Sequence, residues 1–89
     1  MNHESSLSRD PIVLAQETVR FGGMILHYRL AAYHSQTERF RIRVETGGEA
    51  AESSVGSDIE TALRAYRMIL GGRVTPCVLE DVMYDLRSV

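Results

Sequence analysis

From Arg39 to Val44 the chain alternates arginine with an apolar residue: Arg39-Phe40-Arg41-Ile42-Arg43-Val44. A period of two belongs to a β-strand with one face buried and the other wet, because successive side chains of a strand point to opposite sides. Any fold this chain adopts must therefore hold a sheet with an apolar core face and a guanidinium-bearing opposite face.

The segments around this strand supply its neighbours. Ile12 to Phe21 is rich in strand formers, and Gly22-Gly23 follows as a two-residue turn able to take positive φ, which predicts a β-hairpin. With that turn fixed, Val19 is expected opposite Leu26, Glu17 opposite Tyr28, Ala15 opposite Leu30 and Val13 opposite Ala32, giving one mostly apolar face. Gln16, Thr18, Arg20, His27 and Arg29 fall on the other face. For Phe40 and Ile42 to share a side with Ala32 and Leu30, the loop around Ser35-Gln36-Thr37 must hold an odd number of residues. Gly47-Gly48 predicts a second turn, and Glu49 to Val55 a fourth, edge strand of low intrinsic β propensity.

Helical signals then take over. Ser57-Asp58-Ile59-Glu60 has the form of a capping box, with Ser57 as the expected N-cap. Ile59, Ala62, Leu63, Tyr66, Ile69 and Leu70 recur at helical spacing, and Gly71-Gly72 predicts the stop. Thr75-Pro76 restarts the chain as cap and first helical residue of a second helix that offers Leu79, Val82, Met83 and Leu86 to the core. Its Glu80 and Asp81 lie near the positive end of the helix dipole. The expected fold class is α+β, an antiparallel three- to four-stranded β-meander followed by two helices. Met1 to Asp10 is polar and aperiodic and is expected as a flexible tail, which leaves residues 11–89 as one α+β domain.

Composition narrows the function. With 89 residues, 44% hydrophobic and 25% charged, the chain sits near the globular average and should bury only about 60 to 65% of its unfolded surface. It has no apolar run near the roughly 20 residues of a membrane span, and its first ten residues lack the apolar core of a signal peptide. The single cysteine, Cys77, fits a reducing compartment, so a cytoplasmic location is expected. The net charge of −2 argues against a nucleic-acid binder. All ten basic residues are arginine. Gene base composition alone produces such a bias; recognition of anions by planar guanidinium groups is the other reading.

The stretch Gly71-Gly72-Arg73-Val74-Thr75-Pro76-Cys77-Val78-Leu79-Glu80-Asp81-Val82, preceded by Ser57-Asp58 and an amphipathic helix, resembles the end of a family of short uncharacterised Firmicutes proteins, domain-of-unknown-function family 6514. The resemblance is strongest over Asp58 to Leu86. It implies a small cytoplasmic protein of bacterial or phage origin, and it carries no activity with it.

No catalytic constellation emerges. Cys77 near a helix start has the setting of an activated thiol, but with no His or acid near it in sequence it reads as a small apolar residue covering the join of the helices. His3 lies in the tail, and His27 and His34 are expected on opposite faces of one strand, so no metal site is expected. No cofactor motif is present, and the glycine pairs are too short to cradle phosphate ahead of a helix.

Two surfaces remain. His27, Arg29, Tyr33, Arg39, Arg41 and Arg43 are expected to cluster on the open sheet face, with Tyr33 opposite Arg39 and Arg29 opposite Arg43, and with Glu17, Glu38 and Glu45 as neutralising partners. Ile12, Leu14, Ile25 and Ala31 are left on the same wet face by the alternation, which points to self-association as a homodimer. The expected function is non-enzymatic binding: a protein-interaction module, adaptor or inhibitor, that engages a cytoplasmic protein. The alternative is a phage-type counter-defence protein that sequesters an anionic nucleotide-like signalling ligand.

Overall fold

The computed structural model describes residues 11–34 and 38–88. The expected tail and the Ser35-Gln36-Thr37 loop lie outside the described residues. The architecture is α+β: strands β1 (Ile12–Phe21), β2 (Met24–Ala32), β3 (Phe40–Thr46) and β4 (Glu49–Ser54) form one antiparallel sheet in sequence order. Helix α1 (Ile59–Gly71), a 3-10 turn (Pro76–Val78) and helix α2 (Leu79–Ser88) follow. The weak fourth strand thus forms, because pairing with β3 stabilises a segment whose own propensity is low.

Both helices lie on one face of the sheet. Alternation along β2 and β3 sends Leu26, Tyr28, Leu30, Phe40, Ile42 and Val44 into the core, where they meet Ala62, Ala65, Tyr66 and Ile69 of α1 and Leu79 and Met83 of α2. Each fully buried large aliphatic side chain among them contributes about 1.5 to 3 kcal/mol. The helices pack over β2, β3 and β4 and leave β1 largely uncovered. No described helix is long and apolar enough to cross a membrane.

The register predicted from Gly22-Gly23 holds from Phe21 to Ala15 and then fails. Val19 faces Leu26, Glu17 faces Tyr28 and Ala15 faces Leu30, but Val13 faces Ala31 and Ile12 faces Ala32. Leu14 is the extra residue of a β-bulge, which reverses the facing of everything before it. The one charged residue on the core side of β1, Glu17, accepts a 2.7 Å hydrogen bond from the Tyr66 hydroxyl of α1.

Three helix boundaries also differ from expectation. Thr75 makes no side-chain capping bond and Pro76 opens only the 3-10 turn, so α2 begins at Leu79 rather than at Pro76. Asp58, not Ser57, is the N-cap of α1: its carboxylate accepts the Thr61 backbone N–H at 2.9 Å and the Thr61 hydroxyl at 2.7 Å. At the other end Gly71 is still helical and Gly72 keeps a right-handed φ of −84°. The left-handed position falls on Arg73, with φ 53°. Its N–H bonds to Leu70 O and the Val74 N–H to Ile69 O, the paired bonds of a Schellman stop.

Candidate interaction face

The side of the sheet away from the helices is built as cross-strand rows. Pairing sets Gln16, Arg29, Arg43 and Glu52 in one row across β1 to β4. Thr18, His27, Glu45 and Ala50 form the next, and Val13, Ala31, Arg41 and Ser54 the one beyond. Arg29 is directly opposite Arg43, as expected, and such like-charged pairs destabilise a sheet unless an anion lies nearby.

The anions nearby are mostly committed elsewhere. Glu52, in the same row as Arg43, turns its carboxylate towards Arg41, accepting the Nε–H at 3.2 Å and the Tyr33 hydroxyl at 3.0 Å. Glu38 takes a second donor of Arg41 at 3.1 Å. Glu45 reaches Arg43 only at 3.7 Å. Arg29 makes no salt bridge with any described residue. Burial, with the bond to Glu52 and its charge, raises the Tyr33 phenol above its ordinary value, so Tyr33 stays a neutral donor.

The result is a shallow positive concavity of about 320 Å³ lined by Gln16, His27, Tyr28, Arg29, Arg43 and Glu45. His27 is oriented by its Nδ1, 3.1 Å from the Thr18 hydroxyl. The geometry offers two guanidinium groups, an imidazole and an amide to a bound anion, all on strands rather than loops.

Several sequence expectations are redistributed. Tyr33 does stand opposite Arg39, whose carbonyl accepts the Tyr33 N–H at 2.7 Å. Arg39, however, leaves the cluster: its guanidinium lies 6.0 Å from the Phe40 ring centroid and lines a groove on the helix side. Glu17 neutralises none of the described arginines, being bonded to Tyr66, whereas Glu52 pairs with Arg41. Its signal was available, since the Gly47-Gly48 turn places Glu52 opposite Arg43.

The expected apolar self-contact is divided. Because of the bulge, Ile12 and Leu14, 66% and 44% exposed, line the helix-side groove with Ala32, Phe40 and Ile59, while Ile25 stays on the open face. Ala31 is only 4% exposed, set in its row between Val13 and Arg41. Cys77 is exposed in the 3-10 turn, its Sγ 3.6 Å from the Thr75 hydroxyl, and so covers no joint. His34 lies beyond the end of β2 rather than on it. Among the described residues no three His, Cys, Asp or Glu side chains converge to hold a metal ion.

Compared with models of known protein families, with curated proteins and with solved structures, the chain matches none. The resemblance over Asp58 to Leu86 rests on those residues alone.

Proposed function

We propose that this chain is a non-enzymatic cytoplasmic binding protein whose open sheet face engages an acidic surface on a protein partner. The observation that carries the reading is the apposition of Arg29 and Arg43 in one cross-strand row, with Glu52 drawn away to Arg41 and Tyr33 and Glu45 reaching only Arg43, at 3.7 Å. A like-charged pair held open in this way is a cost to the free protein and a gain once an anion arrives. The shape of the concavity favours a protein over an enclosed small molecule: Gln16, His27 and Glu45 around it are exposed, and the Glu45 carboxylate adds a negative charge to its lining.

The test is calorimetric titration with an oligoglutamate peptide and, separately, with inorganic phosphate. The peptide should bind, should weaken as salt rises, and should lose about tenfold in affinity in Arg29→Gln and in Arg43→Gln, because charge-assisted hydrogen bonds are the strong ones. At low salt Arg29→Gln should also be no less stable than the wild type, since it relieves the repulsion. Tight binding of phosphate alone would move the reading to the sequestration of an anionic small ligand. Equal peptide affinities in the wild type and both variants would make these arginines a solvated face.

A further inference from the structure

Strand β1 is ten residues long, forms one edge of the sheet, and among the described residues pairs with β2 alone. Its outer row of backbone N–H and C=O groups is a template for another strand, and long edges of this kind are usually blunted. The opposite edge is blunted: β4 has six residues and carries Glu49 and Glu52. On β1, Pro11 and the bulge at Leu14 stand at its start, and Ala15–Phe21 is a regular ladder whose two charges, Glu17 and Arg20, are of opposite sign and so do not repel a second copy as two like charges would.

We infer that this ladder pairs antiparallel with the same ladder of a second copy, about a two-fold axis through Thr18. The occupant is a second copy because the segment is complementary to itself. A two-fold axis perpendicular to the sheet keeps the helix side of both copies on one side, so opposed residues must share a face. With Thr18 opposite Thr18, Gln16 meets Arg20, Glu17 meets Val19 and Ala15 meets Phe21, an aromatic ring that is 47% exposed over a small side chain. No like charges stand opposite one another. Centring the axis on Glu17 sets two carboxylates face to face, centring it on Gln16 runs the bulge into the ladder, and centring it on Val19 runs the Gly22-Gly23 turn into it.

The consequence for the concavities goes beyond the single-copy reading above. The two sheets join into one, and their open faces become continuous. Two intervening β1 strands, at about 4.8 Å per strand, and an offset of four residues along the strands set the two Arg29 positions about 20 Å apart on one face.

The experiment uses the full chain with the exposed thiol removed, Cys77→Ser, and one new cysteine. Directly opposed residues on antiparallel strands have Cα atoms about 4.5 to 5.5 Å apart, within disulfide reach. Under air oxidation Thr18→Cys should form covalent dimers, whereas Gln16→Cys, whose copies lie about 14 Å apart along the strands, should not. Sedimentation of the wild type should show reversible self-association. A wild type that stays monomeric at about 1 mM, the weak end of specific association, overturns the inference, as do equal yields of cross-link at both positions. Neither measurement involves Arg29 or Arg43, so its failure is separate from that of the binding reading.

Discussion

At Asp58 one carboxylate satisfies both the backbone and the side chain of Thr61, and these bonds hold its carboxyl below the ordinary value of 3.8. A group whose folded pKa is depressed stabilises the fold above its unfolded pKa, and that contribution is lost as the pH falls through the lower, folded value. Asp58→Ala should therefore lower the urea midpoint at neutral pH, while Ser57→Ala leaves it unchanged. Asp58→Asn should keep an acceptor for the cap but flatten the loss of stability on acidification below about pH 4. Urea titrations of the three variants at neutral and acid pH check this. A drop in Ser57→Ala alone would return the cap to that residue.

At the scale of elements, the end of α1 holds a non-glycine residue in a conformation that usually selects glycine. Arg73 at φ 53° completes the Schellman stop, and its guanidinium folds back to Leu70 O at 3.1 Å. Left-handed backbone costs an L-residue roughly 1 to 2 kcal/mol, partly offset here by the side-chain bond and by the greater flexibility of glycine when unfolded. Arg73→Gly should thus raise stability by roughly 0.5 kcal/mol, read as a small upward shift of the thermal midpoint. A fall would mean that the guanidinium bond outweighs the strain.

The strands and both helices were legible in the chain because each rests on a local signal: the Arg39 to Val44 alternation, the glycine-pair turns, and the spacing of Ala62, Tyr66 and Ile69. The departures have other causes. Nothing in Ile12-Val13-Leu14-Ala15 marks Leu14 as the inserted residue, since all four are apolar and either facing fits the pattern. The stop at Arg73 rather than at the glycines coincides with tertiary contacts, the burial of Val74 and the capture of its carbonyl by Tyr28. The Arg29 and Arg43 pair follows from register, but the diversion of Glu52 to Arg41 and Tyr33 depends on side-chain positions that pairing does not specify.

Across the whole molecule, two tyrosines fasten the sheet to the helical half. The Tyr28 hydroxyl donates to Val74 O at 3.0 Å, and the Tyr66 hydroxyl donates to Glu17 at 2.7 Å. Burial raises both phenols above the ordinary value of 10.0, with the Glu17 bond adding to the shift at Tyr66 and the Arg73 charge opposing it at Tyr28. For a raised pKa the stabilisation is complete below the unfolded value and is lost as the pH rises towards the folded one. The protein should therefore unfold cooperatively in alkali beyond pH 10, with phenolate absorbance and far-ultraviolet circular dichroism changing together. Tyr66→Phe should lose about 1 kcal/mol at neutral pH and unfold less steeply in alkali. Phenolate absorbance that rises fully while the circular dichroism stays native would show that these rings ionise without releasing the helices.

Those two fastenings join residues 46 and 49 positions apart. A ribosome delivers the β-meander first, with Leu26, Leu30, Ile42 and Val44 lined along a bare face and every residue able to cover them still to be synthesised. The nascent chain must carry that surface until α1 and α2 emerge, an interval in which strand edges and apolar side chains are open to neighbouring chains. Holding chaperones should accordingly engage this protein during translation and release it once α2 has emerged.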